Sequence, residues 1–253
     1  MGELSARLER HFNFSTDELM MLGTTAFIAA FGVPLSLGWG IFNIFQEQTP
    51  ANYISNLAVV FIMFFIALLL HFGVQKIIAL KLGYTTRYRS WKLGYVISIF
   101  LCFVTFGFLP ILFTGSLWPT VEKKLRIGRF RSGVMHKDIG IISFSGPLFS
   151  VLVALVSGFF YVAVSQTPLV FAFISANLLV AIYSLIPLAN FGEQGGTTGL
   201  YLFIASRWVY VLALSFVITF SLLVFAAKIF SLVIAAIIAI FVTVLYYNAY
   251  ESN

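Results

Sequence analysis

His71 and Gln75 stand four residues apart in an apolar stretch, so a helix there carries both on one face. Two side chains one turn apart are how a helical metal site grips a cation from one side. Gln75 is an amide, however, and zinc favours imidazole, thiolate or carboxylate. The plainer chemistry is a polar pair hydrogen-bonding across helices, worth about 1 kcal/mol inside a membrane. The stretch 191–199 (FGEQGGTTG) has the glycines of a phosphate loop but lacks its Gly-Lys-Ser/Thr, and reads as a flexible or re-entrant connection. It contains Glu193, the only carboxylate between positions 139 and 250.

The elements that position these residues are membrane helices. Of 253 residues, 60% are apolar and 9% charged, with a mean hydropathy of +1.01. Soluble domains carry roughly a quarter charged residues, and a disordered chain does not carry 29 Phe and 11 Tyr. The apolar runs are long and continuous, as in spanning helices rather than alternating barrel strands. Met1, Leu4, Leu8 and Phe12 form a stripe suited to a short helix on the membrane surface. Ser15 and Glu18 form a capping box ahead of the first apolar run. Spans are predicted over 19–45, with Pro34 a kink point, and over 53–82, 139–165 and 168–188. The stretch 208–250 would be roughly 60 Å long as one helix, twice a bilayer core, so it folds back near Lys228. Trp39, Trp91, Trp118 and Trp208 fall near span ends, as interfacial anchors do. Ser150, Ala154 and Gly158, like Ser231, Ala235 and Ala239, repeat small residues every fourth position, permitting close helix packing. The segment 84–92 is read as a basic, aromatic connection, and 1–18 as lacking the apolar core of a signal peptide.

The charge distribution decides the segment 93–118. If it spans, Lys and Arg divide eight inside against seven outside; if it dips in and returns, they divide fourteen against one. The positive-inside rule favours the return, with the N-terminus cytoplasmic. Gly107, Pro110 and Gly115 suit a turn within the membrane, tolerated only where protein or a water-filled cavity covers it. The alternative is a plain span with an untypical charge pattern. The excess of 15 Lys and Arg over 9 Asp and Glu thus fixes orientation, and no motif speaks for nucleic acid. The lone Cys102 forms no internal disulfide.

The run LLLHFGVQKIIALKLGYTTRYRSWKLG resembles the metal-binding helix, and the segment after it, of site-2 proteases, which are intramembrane zinc metalloproteases; archaeal members are the most similar. FSGPLFS resembles the family's helix that opens with Gly-Pro and carries Asn three residues on. NLLVAIYSLIPLANFG is similar to its span ending in Asn-x-x-Pro and then Asp-Gly, whose Asp is the third zinc ligand. The likeness covers about 57–210. It implies an all-α polytopic membrane protein of about six transmembrane helices plus one re-entrant segment, with a site-2 protease-like core. An N-terminal cytoplasmic or interfacial segment occupies 1–18 and one integral membrane domain 19–250 of a prokaryotic cell-membrane protein.

The departures fall on the chemistry. His71 matches the first HExxH histidine, but Phe72 stands at the glutamate and Gln75 at the second histidine. Gly146 and Pro147 persist, Ser150 replaces one Asn, and Ser184 ahead of Pro187 replaces the other. The third ligand would fall at Gly192, or at Thr198 if Gly199 is the motif's glycine, with Glu193 a nearby substitute. Catalytic zinc needs three protein ligands, a water and a carboxylate base. The resemblance therefore implies a pseudoprotease without bound metal or other cofactor. Its partners would be integral membrane proteins, a transmembrane helix or a lipid chain, lodged in an apolar, partly open groove that Phe72 creates beside His71. An active metalloprotease with a non-standard site is the first alternative. A transporter or channel subunit is the second, against which stands the scarcity of membrane carboxylates.

Overall fold

Apolar solvent leaves backbone N–H and C=O groups no partner but each other, and the helix is the local solution. A computed structural model describes residues 3–35, 50–105, 112–113, 115–121, 135–163, 167–189, 196–227 and 230–250. It contains α1 (Glu3–His11), α2 (Thr16–Leu35), α3 (Pro50–Lys81), β1 (Tyr84–Arg89), α4 (Lys92–Val104) and β2 (Ser116–Val121). After these come α5 (His136–Ala163), α6 (Pro168–Leu185), α7 (Thr198–Ala205), α8 (Arg207–Ala227) and α9 (Phe230–Tyr250). Five helices among the described residues are long and apolar enough to cross a membrane: α3, α5, α6, α8 and α9. The chain is thus mostly helical, with the candidate spans of a membrane protein. The expected break near Lys228 falls between α8 and α9, although Lys228 itself, like Trp39, lies outside the described residues.

The central helix is α6. Ala172, Ala176, Leu179 and Val180 enter a core built with α2 and α3. Ile174, Leu178, Ala181 and Leu185 enter a second core with α5, α7, α8 and α9. A helix buried on opposite faces is apolar nearly all round, and α6 buries Ser175, Asn177 and Ser184 among otherwise apolar side chains. On α9 the buried residues are Ser231, Ala235, Ala239 and Thr243, the expected small-residue face.

Two features differ from the sequence reading. The segment 84–92 is no irregular connection, since β1 pairs antiparallel with β2, from Tyr84 opposite Val121 to Arg89 opposite Ser116. Its β-branched and aromatic residues favour a pleated strand, and the charged Arg87 and Arg89 lie on alternate positions. Trp91 is 3% exposed, buried rather than interfacial, with its ring edge-on to Phe113. Because Arg89 lies opposite Ser116, the chain between them leaves this ribbon and comes back to it. The outgoing limb is α4, about 20 Å long and too short to cross a bilayer core. The returning limb packs on it, the Phe113 amide donating to Ser98 Oγ at 3.0 Å. Gly107 and Pro110 lie outside the described residues. Gly115 is needed for a different reason than a turn: a Cβ there would sit 1.9 Å from the Arg89 carbonyl oxygen.

One buried ion pair joins these parts. Glu18 and Lys76 are 4% and 3% exposed, and Lys76 Nζ donates to Glu18 Oε2 at 2.8 Å. The same oxygen accepts from the Ser15 amide at 2.9 Å, completing the capping box, and Oε1 accepts from the Tyr88 amide at 2.7 Å. Lys76 also donates to the Asn13 carbonyl at 2.8 Å and lies over the Phe14 ring. Burial pushes the Glu18 carboxyl up, but Lys76 and the Tyr88 and Ser15 amides outweigh it and hold it below its ordinary value.

Removing one member strands the other charge, so Lys76→Met should lower stability by about 3–5 kcal/mol, measured by thermal unfolding in mild detergent. The double variant Glu18→Gln/Lys76→Met should lose less than the sum of the single variants. Glu18's contribution is full above the ordinary carboxyl value of 4.5 and lost as pH falls through its lower folded value. Wild type should therefore lose more stability than the double variant on acidification below that point.

Candidate functional site

Helix α3 puts His71 and Gln75 one turn apart, and α5 puts Gly146 and Ser150 one turn apart opposite them. The four meet. His71 Nδ1 lies 2.8 Å from Ser150 Oγ, and Gln75 Nε2 lies 3.4 Å from His71 Nε2. Gln75 Nε2 also donates to the Ser143 carbonyl at 3.4 Å. An amide nitrogen only donates, so His71 Nε2 accepts and Nδ1 carries the proton given to Ser150. One neutral imidazole tautomer satisfies the whole chain. His71 is 0% exposed and Gln75 and Ser150 are each 1% exposed.

Gly146 makes the approach possible. A Cβ there would stand 2.2 Å from Gln75 Nε2 and 2.6 Å from His71 Nε2. It lies well inside α5, together with Pro147, rather than at the helix start. The N-terminal part of α5 is held to the ribbon, with Tyr84 donating to Asp138 Oδ2 at 2.6 Å. That bond pushes the Tyr84 phenol above its ordinary value.

Phe72 does not border a groove. It is 0% exposed and packs on Tyr88, ring centroids 4.7 Å apart. The Tyr88 hydroxyl in turn meets Thr25 Oγ1 at 3.1 Å and accepts from the Gly115 amide. The ring was expected to leave a partly open cleft; a tyrosine from the unforeseen strand fills that space instead. Open apolar space does exist, about 290 Å³ in volume, on another face of α5 between α8 and α9. Pro147 lines it, and His71 does not.

The remaining sequence landmarks serve the fold. Ser184 directs its hydroxyl to the Ala181 carbonyl of its own helix, and Pro187 is exposed beyond the end of α6. Gly192 and Glu193 lie outside the described residues. Thr198 opens α7, 2% exposed, its hydroxyl without a hydrogen-bond partner among the described residues. Its neighbour Thr197 had been passed over. Thr197 Oγ1 accepts from the Leu188 amide at 2.9 Å and from the Leu200 amide, and donates to the Ile186 carbonyl. It caps α7 and stitches it to the end of α6. A threonine just ahead of an apolar run was the available signal. Gly199 is required because a Cβ would lie 2.1 Å from the Leu185 carbonyl oxygen.

The arrangement does not fit zinc. Both ring nitrogens of His71 face hydrogen-bond partners, the Gly146 backbone occupies the space beside them, and no carboxylate among the described residues joins them. Among the described residues no three His, Cys, Asp or Glu side chains converge. The Ser150 hydroxyl against an imidazole has the form of an activated nucleophile. Yet Ser150 sits mid-helix, sealed from any substrate, with the neighbouring amides committed to the α5 ladder. The geometry is that of a polar lock between two helices. Neither protein-family models, curated proteins nor solved structures match this chain.

Gly146→Ala should lower stability by about 1–3 kcal/mol, since the added methyl group would push the buried Gln75 amide and His71 ring off their hydrogen bonds. Adding Gln75→Ala should restore part of the loss. Thermal unfolding in detergent reads both effects.

Proposed function

We propose that the chain is a noncatalytic membrane protein on a site-2 protease-like helical core, serving as a binding, regulatory or scaffold subunit for other integral membrane proteins. The observation that supports this reading is the hydrogen-bond chain Ser150–His71–Gln75. His71 and Gln75 stand at two of the positions where the resemblance puts metal ligands, and Ser150 at that of an Asn, with Gly146 closed upon them. A site that must admit a metal, a water and a peptide cannot also be sealed by its own residues. The protein resides in the cell membrane with its N-terminus cytoplasmic. Residues 93–118 enter from that side and return, a topology supported by the fourteen-to-one charge bias and by the ladder joining the segment's ends.

Two experiments test the reading. Affinity purification in mild detergent should recover a membrane-protein partner intact and in stoichiometric amount. A partner recovered as a cleavage product from wild type, but intact from His71→Ala, would contradict it. For the topology, single cysteines at positions 92 and 123 in a Cys102→Ala background should react alike with a membrane-impermeant thiol reagent. Opposite labelling would place the segment across the membrane.

A further inference from the structure

Helices α5, α8 and α9 enclose the apolar space of about 290 Å³, walled by Phe144, Val151, Ala213, Phe216, Ala236 and Ala239 among others. Water's share of liquid volume is about 30 Å³, and a buried water needs two to four polar partners, which this wall does not offer. The occupant must be apolar.

What lies at one end of the cavity says which apolar group. A Cβ on Gly140, near the start of α5, would touch Ala205, just before α8. Trp208 at the start of α8 packs on Tyr247 near the end of α9, centroids 5.2 Å apart. Those two contacts bring the first turns of α5 and α8 and the last turn of α9 to the same end of the bundle. Lys137 and Arg207 are exposed there. At 1.5 Å per residue, Arg207 stands about 8 Å before Leu212 and Lys137 about 10 Å before Phe144, the first cavity residues on their helices. The carboxylate in the first turn of α5, Asp138, is engaged by Tyr84. Cationic and aromatic groups at the level of a headgroup, with an apolar cavity one to two turns deeper, match the layout of one anionic glycerophospholipid.

We infer that this face holds an anionic phospholipid, one acyl chain in the cavity between α5, α8 and α9 and the phosphate at Arg207 and Lys137. The site is separate from the His71 lock and does not rest on the functional reading above.

Native mass spectrometry of the purified full chain, loaded with phosphatidylglycerol or phosphatidylcholine, tests it. Phosphatidylglycerol should remain bound at activation energies that strip phosphatidylcholine. Ala239→Phe, which fills the cavity, should abolish the retained adduct, and Arg207→Gln should weaken phosphatidylglycerol retention several-fold while leaving phosphatidylcholine unchanged. Ile240→Trp at the exposed rim serves if the cavity-filling variant does not fold, and should also reduce retention. Equal retention of the two lipids, or adducts indifferent to both cavity variants, would overturn the proposal. So would cross-linking from position 240 to a partner helix in place of lipid.

Discussion

The Glu18–Lys76 pair is the interaction on which the rest of the architecture depends. It lies where the N-terminal segment, the long helix α3 and the first strand of the ribbon meet, and each supplies it with a donor or a charge. A buried pair is weak evidence for net stability, because desolvating two ions offsets much of their attraction. Its effect here is positional. Glu18 takes the outward amide of Tyr88, which fixes how far along α3 the ribbon sits. That brings the Tyr88 ring over Phe72. Lys76 directly follows Gln75, so the same pair sets the level of the polar chain on α3 relative to α2.

From that level the site follows by exclusion. With Tyr88 against Phe72 on one side and the Gly146 backbone against His71 and Gln75 on another, space for a ligand is gone. The polar atoms that remain satisfy one another with a single neutral tautomer. In an apolar solvent such closure holds helices together, because an unpartnered polar group costs more there than a hydrogen bond contributes in water. The His71 lock and the ion pair thus solve the same problem at two depths of one helix.

Much of this was legible in the sequence, and for identifiable reasons. Uninterrupted apolar runs located α3, α5, α6, α8 and α9, since length and hydropathy suffice where the solvent is lipid. The Ser15–Glu18 capping box is present as expected, because capping is local. His71 and Gln75 stand out by their spacing, Gly146 and Ser150 by the resemblance to site-2 proteases, and the four meet. The ribbon is not legible locally because its partner strand lies 27 residues beyond Arg89, at Ser116, and the six residues of β1, two of them arginine, resemble a loop. Trp91 and Phe72 were misjudged for the same cause: each is buried by residues that only long-range pairing brings near. Thr197 precedes an apolar run as an N-cap does, but its bonds to Ile186 and Leu188 depend on how α7 folds back on α6.

On the proposed function, His71 is a structural hydrogen-bonding residue rather than a metal ligand. The most direct measurement is metal content of the purified full chain, combined with its thermal unfolding midpoint in the presence of excess zinc or a chelator. A ligand that binds only the folded state must raise that midpoint, and its removal must lower it. The expected result is substoichiometric zinc and a midpoint that neither zinc nor chelator moves. About one zinc per chain, with a midpoint that falls on chelation in wild type but not in His71→Ala, would contradict it.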